Sequence, residues 1–166
     1  MTISSLQFTE SRNIDDYRPL IAELSAELGA RFGGSMENWC GIGSRPYPLP
    51  VWQVYLVRDA AGEAVGVCSY YRQEEDPPGR HWIGWIGVRK ASRRQGVAAA
   101  MFTHVLKQLE AMNPTEVWVY TSSKGAEQFY RAMGMHDVGH FHETGLEQAA
   151  AAGNESVLMM SFQPTS

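Results

Sequence analysis

The chain has 166 residues, 44% of them hydrophobic and 19% charged, with a formal net charge of −4. These are the values of an ordinary globular domain, long enough to bury roughly 70% of the surface its unfolded chain exposes. No apolar run approaches the ~20 residues of a membrane span, and the acidic balance argues against a nucleic-acid surface, which needs a broad basic face.

Cys40 and Cys68 form no metal-spaced pair and no disulfide framework. Met1–Ser5 has no basic stretch leading into an apolar one. One cytoplasmic domain spanning residues 1–166 is therefore expected, with neither membrane nor nucleic acid as partner.

Leu6-Gln7-Phe8 alternates as a short first strand. Ile14, Tyr17, Leu20, Ile21, Leu24 and Leu28 then recur at helical spacing, so residues 13–28 read as an amphipathic helix that Gly29 stops. From Gly33 to Pro50 the chain reads as a long irregular loop, with prolines at alternate positions at its end. Val51–Arg58 and Ala64–Arg72 read as two strands joined by a Gly-containing hairpin turn. A second turn, Glu74–Gly79, leads into a strand over His81–Val88, completing an antiparallel meander.

The next helix, Val97 to Met112, carries Ala98, Met101, Phe102, Val105, Leu106, Leu109 and Met112 on one face, and Pro114 ends it. Glu116–Thr121 alternates as a strand. Ser122 or Ser123 can cap a helix with Ala126, Phe129, Tyr130 and Met133 on one side, stopped by Gly134. Met135–Phe141 and Ser156–Phe162 read as the last strands, with Glu143–Asn154 between them as loop or short helix. The order is β-α-loop-β-β-β-α-β-α-β-β, a mixed α+β domain with helices on a mostly antiparallel sheet.

The most informative stretch is Arg93-Arg94-Gln95-Gly96-Val97-Ala98. A strand, a basic turn holding glycine, and a helix N-terminus follow one another there. Unpaired N–H groups of a first helical turn, together with the helix dipole, favour an anion such as phosphate. Arg89, Lys90, Arg93 and Arg94 concentrate positive charge at this turn of an acidic protein, and the plain alternative is a solvated basic loop. Gly84 and Gly87 lie inside the preceding strand, where glycine marks a bulge, a close backbone approach, or a packing site under Trp82 or Trp85. A bulge splays this strand from the Val117 strand and frees backbone groups for an extended amide-bearing ligand.

Arg93-x-x-Gly96-x-Ala98 resembles the pyrophosphate signature Arg/Gln-x-x-Gly-x-Gly/Ala of the GNAT N-acetyltransferases. Thr121 to Met135, with Ala126-x-x-Phe129-Tyr130-x-x-x-Gly134-Met135, is similar to the second block of that family. The resemblance covers nearly the whole chain. It implies a GNAT fold: a central, mostly antiparallel mixed sheet of about seven strands, splayed in the middle and flanked by about four helices. It implies acetyl-CoA as acyl donor and transfer of the acetyl group to an amine by direct attack in a ternary complex. The other reading is a non-catalytic module that binds or senses acyl-CoA.

By the same resemblance, backbone groups of Ile86, Gly87 and Val88 pair with the pantetheine arm. The turn Arg93, Arg94, Gln95, Gly96, Val97 and Ala98 cradles the pyrophosphate, with a side-chain contact open to Arg93 or Arg94. Ser123, Ala126, Phe129 and Tyr130 of the second block complete the cofactor side. Tyr130 is implied as the general acid that protonates the departing thiolate.

Two positions depart from the family pattern. Ser123 stands where many members have Asn, and Trp85-Ile86-Gly87-Val88 offers no carboxylate for a general base. His81 is the leading candidate base, with Glu74, Glu75, Asp76, His140 and His142 behind it; positioning with a water chain is the alternative. Cys68 reads as a core residue and Cys40 lacks a basic partner. His136, His140 and His142 lack a Cys or carboxylate shell, so no metal is expected. Trp39, Tyr47, Trp52, Tyr70, Tyr71, Trp82 and Tyr120 are open to two readings, acceptor pocket or core. Glu74-Glu75-Asp76 reads either as a holder for a cationic amine or as an ordinary charged turn. The expected partner is a small-molecule amine, and a homodimer is compatible with this reading.

Overall fold

The computed structural model describes residues 5–29, 31–42, 49–140 and 155–162. In chain order the elements are β1 (Gln7–Thr9), α1 (Ile14–Leu28), α2 (Arg31–Trp39), β2 (Val51–Arg58), β3 (Ala64–Arg72) and β4 (Arg80–Val88). A single 3-10 turn over Lys90–Ser92 follows, then α3 (Val97–Glu110), β5 (Glu116–Thr121), α4 (Lys124–Ala132), β6 (His136–His140) and β7 (Ser156–Ser161). The strands form one seven-stranded sheet in the order β1-β2-β3-β4-β5-β7-β6. Neighbours are antiparallel except β4 and β5. Those two are parallel because α3 carries the chain back across the sheet between them.

The sheet is covered on both faces. Ile14, Tyr17, Leu20 and Leu24 of α1 and Phe32, Met36 and Trp39 of α2 bury against Val54, Leu56 and Val67. Met101, Phe102, Val105 and Leu109 of α3 and Tyr130 of α4 bury against Tyr55, Val57, Cys68 and Val119 on the other face. Local signals set the helix ends. The Asn13 side chain accepts from the Asp15 N–H to start α1, and the Ser123 hydroxyl accepts from the Ala126 N–H to start α4.

Helix α2 corrects the loop expected from Gly33 to Pro50. Phe32, Met36 and Trp39 stand at helical spacing and all three are buried, but Gly33 and Gly34 hide the pattern. Gly33 has a packing reason, since a Cβ there would lie 3.3 Å from Ile21 Cγ2 of α1. The rest of that loop, 43–48, lies outside the described residues, as does the segment 141–154. Helix α3 ends at Glu110 rather than Met112, whose side chain is exposed.

The sheet opens in its middle. β4 pairs with β5 only at Arg80, His81 and Trp82, opposite Glu116, Val117 and Trp118. Both strands then continue apart. On the other edge of β4 the register to β3 slips: Cys68 faces Ile86, but Tyr70 faces Ile83. The extra residue is a bulge at Gly84-Trp85. Ser69, fully buried, staples it by accepting from the Trp85 N–H at 2.7 Å. A Cβ on Gly84 would lie 2.3 Å from that Ser69 oxygen, so the bulge and the glycine require each other. Gly87 serves packing, because a Cβ there would lie 3.0 Å from both Leu24 and Leu28 of α1.

Candidate active site

The turn between β4 and α3 is built for exposed backbone donors. Arg94 (φ 62°) and Gly96 (φ 81°) both adopt left-handed backbone. That conformation costs glycine little and favours it at position 96. The first helical bond of α3 is made by the Ala100 N–H to the Gly96 carbonyl. The N–H groups of Gln95, Gly96, Val97, Ala98 and Ala99 therefore have no partner among the described residues. They crowd at the positive end of the α3 dipole. A shallow groove of about 430 Å³ continues from Gly96 along α3, past Ala99, Ala100, Thr103, His104 and Lys107.

The basic cluster is mostly neutralised from within. Arg89 pairs with Glu23 at 3.5 Å and Glu63 at 3.6 Å, and Lys90 pairs with Glu27 at 3.8 Å. Arg93 donates to both Glu27 carboxylate oxygens and, through Nε, to the Val88 carbonyl at 3.0 Å. It fastens the turn to α1. Glu27, with two cations against it, is held below the ordinary carboxylate range, chiefly by the Arg93 hydrogen bond. Arg94 alone of the four has no ion pair among the described residues. Glu23 and Glu27 stand one turn apart on α1, the signal in the sequence that matched this cluster.

Tyr130 is buried with Ile83 and Val88 of β4 and Val119 of β5, the strands that part. Its ring packs on Phe129 at 5.4 Å and on Phe102 of α3 at 6.3 Å. These contacts tie α4 to the helix whose N-terminus forms the turn. Burial pushes the phenol far above its ordinary value, so it stays protonated at neutral pH. Ala126 and Phe129 line the same cluster from α4, partly buried.

His81 is buried in β4, two residues before Ile83, where β4 leaves β5. Its Nδ1 has no hydrogen-bond partner among the described residues. Burial lowers its pKa, outweighing a backbone hydrogen bond with Gly79. Asp76 is not free for proton transfer. It is buried, and accepts from the Trp82 indole N–H at 3.0 Å and the Gln73 N–H at 2.8 Å. Glu74 and Glu75 are exposed in the same turn, His140 lies on exposed edge strand β6, and His142 lies outside the described residues. Burial raises both thiol pKa values, Cys68 the more strongly, so neither is a poised nucleophile.

The aromatic candidates separate by face. Trp52, Tyr71, Trp82 and Trp118 follow one another in register across β2, β3, β4 and β5, so they share the face that α1 and α2 occupy. Tyr120 approaches Trp82 edge-on at 6.0 Å, and Trp39 stacks on Trp52 at 6.0 Å. Tyr70 belongs to the opposite face, stacked on Tyr55 at 6.3 Å. Tyr47 lies outside the described residues. Trp118 was absent from the sequence candidates, although its alternation with Tyr120 in β5 carries the signal. No group of three or more His, Cys, Asp or Glu positioned to hold a metal occurs among the described residues. No described helix is long and apolar enough to cross a membrane.

Comparison with known proteins adds three findings. Residues 15–135 match the family model for the acetyltransferase (GNAT) family. No curated protein matches the chain in sequence. Many solved structures share the fold at low identity. An acetyltransferase of the GNAT family from Staphylococcus aureus Mu50 superposes with a TM-score of 0.72 at 13% identity, covering 95% of this chain and 99% of that one. Naa50 of Arabidopsis thaliana, in complex with the bisubstrate analogue CoA-Ac-MVNAL, gives 0.66 at 15%, covering 95% and 99%. A spermidine N-acetyltransferase chimera of Vibrio cholerae SpeG and hSSAT gives 0.70 at 13%, covering 95% of each.

Proposed function

The chain belongs to the acetyltransferase (GNAT) family, and from that premise we propose that it is an N-acetyltransferase that moves an acetyl group from acetyl-CoA to the amine of a small molecule by direct attack in a ternary complex. The observation that carries the reading is the turn before α3, where five consecutive N–H groups have no partner among the described residues and Gly96 is left-handed at the helix cap. A pyrophosphate satisfies such donors, and the glycine lets the backbone approach it. The open edge of β4 from Ile83 to Val88 suits the amide-bearing pantetheine arm, with Ile86, Gly87 and Val88 pairing as a strand would. Ser123 caps α4, and Ala126 and Phe129 pack it into the cluster that holds Tyr130 against the parted strands, which supports Tyr130 as the residue facing that arm.

In this reading the amine nitrogen attacks the thioester carbonyl carbon. A β4 backbone N–H near Ile86 or Val88 stabilises the oxyanion. The carbon–sulfur bond then breaks, the Tyr130 hydroxyl gives its proton to the leaving thiolate, and the second proton that the nitrogen sheds as the amide forms returns, through water, to the phenolate. A phenol suits this role because its ordinary pKa of about 10 already keeps it protonated at neutral pH, and burial raises it further. The amine must shed a proton before it attacks, since at neutral pH it is nearly all ammonium. His81, on the α3 side of β4, receives that proton through water in the opening between β4 and β5. Its burial keeps the imidazole neutral, and its Nδ1 is unoccupied.

Isothermal titration calorimetry with acetyl-CoA and CoA tests the donor half; no binding at millimolar ligand refutes the reading. Tyr130→Phe tests the acid. The expected result is a kcat lower by about 10²-fold, with the acetyl-CoA dissociation constant unchanged. An undiminished kcat removes Tyr130 from that role.

A further inference from the structure

Resting on the acetyl-transfer reading, we propose that the acceptor is an amine carrying an aromatic ring and a carboxylate or carbonyl group, the chemistry of an aromatic amino acid, held on the aromatic row beside the splay. Three observations carry this.

The first is the row itself. Trp52, Tyr71, Trp82 and Trp118 are consecutive cross-strand neighbours on one face, and Tyr120 stands at the point where β5 leaves β4. This face is opposite the one bearing Tyr130 and α3. A donor arm anchored at the α3 turn and running under α4 leaves the other side of the opening to the acceptor. Flat apolar groups find edge-to-face partners there.

The second is a pair of unsatisfied donors. The indole N–H groups of Trp39 and Trp118 have no hydrogen-bond partner among the described residues, although the two are only 5% and 7% exposed. A buried donor left unpaired costs on the order of 1–3 kcal/mol, so each is a site for an acceptor atom. The neighbouring Trp82 indole differs, since Asp76 satisfies it.

The third is the sign of the charge at the rim. The Arg12 guanidinium lies 4.5 Å over the Trp52 ring, with no ion pair among the described residues. Arg80 lies 4.5 Å over Trp118, paired with Glu116. Asp76, the buried carboxylate beside the row, is spent on Trp82 and Gln73. With Arg80 neutralised by Glu116, Arg12 supplies the unpaired positive charge over the aromatic walls, and such a charge attracts a carboxylate.

The test measures CoA release from acetyl-CoA with L-phenylalanine and with spermidine, alongside calorimetry of acetyl-CoA alone. The expected result is a kcat/KM for L-phenylalanine at least ~50-fold above that for spermidine. Trp118→Phe keeps a six-membered aromatic ring and removes the pyrrole half of the indole together with its N–H. The lost hydrogen bond, with lost ring contact added to it, should raise the KM for L-phenylalanine by at least about 2- to 12-fold and leave acetyl-CoA affinity unchanged. Spermidine used as well as or better than L-phenylalanine overturns the proposal, as does an unchanged KM in Trp118→Phe. Acetyl-CoA binding with L-phenylalanine inert overturns the acceptor class alone; failure of acetyl-CoA to bind overturns the acetyl-transfer reading beneath it.

Discussion

Gly96 is where a single side chain decides most. Its left-handed backbone sits at the cap of α3 among the unpartnered donors. Gly96→Glu introduces three penalties at once: a strained φ for an L residue, a bulky group where the backbone must approach, and a negative charge on the ligand's own anion site. The backbone cost is about 1–2 kcal/mol, which lowers Tm by a few degrees without unfolding a chain of this length. The loss of acetyl-CoA affinity should exceed 100-fold by calorimetry, since repulsion and blocked approach add to lost N–H contacts. Unchanged affinity would falsify the phosphate cradle. The signature Arg93-x-x-Gly96-x-Ala98 made this position legible because its constraint is local: one backbone angle and one helix start. The role of Arg93 was not legible. Its partners, Glu27 and the Val88 carbonyl, come from a helix 66 residues away and from the strand end before the turn, and no local pattern announces the first of them.

At the scale of elements, the splay depends on a bulge that two residues hold in common. Gly84 leaves the room that the Ser69 hydroxyl fills, and that hydroxyl binds the Trp85 N–H exposed by the extra residue. Gly84→Ala forces the two together and should cost about 1–3 kcal/mol, read as a drop in Tm of about 2–10 °C. Ser69→Ala removes the clash but leaves the half-buried Trp85 N–H without its acceptor, so it should be destabilising by itself. The double variant should be more stable than the sum of the two singles implies, because only one of the two penalties remains; strict additivity of the Tm shifts refutes the coupling. The strands and the bulge were readable because alternation and strand glycines are local signals. Helix α2 was not, because Gly33 and Gly34 lower helix propensity. What holds it is Phe32, Met36 and Trp39 packing on α1 and the sheet, a tertiary contribution that the segment does not announce.

Across the whole molecule, the sheet separates two chemistries, and the histidines on the α3 side respond to pH together. His81 is buried in β4, and His104 stacks on Phe8 at 4.1 Å and meets Tyr55 edge-on at 4.5 Å. Burial is the largest cause lowering both pKa values, with Lys107 adding to the effect at His104 and Arg72 at His81. A histidine whose folded pKa lies below its unfolded value near 6.5 binds fewer protons when folded. Its contribution to stability is full above the unfolded value and is lost as pH falls through the folded one. The depressed carboxylates Glu27 and Asp137, each hydrogen-bonded to an arginine, act in the same direction, but in a separate window below the ordinary carboxylate values of 4.5 and 3.8. Between pH 7.5 and 5 the histidines therefore dominate the slope. Tm should fall across that interval in the wild type. His81→Gln retains a polar side chain of similar reach without a group that titrates there, and its fall should be shallower. The same variant should flatten the acidic limb of kcat/KM if the imidazole also takes the substrate proton. A flatter Tm profile with an unaltered rate profile would leave His81 as a buried structural residue and assign proton removal to water.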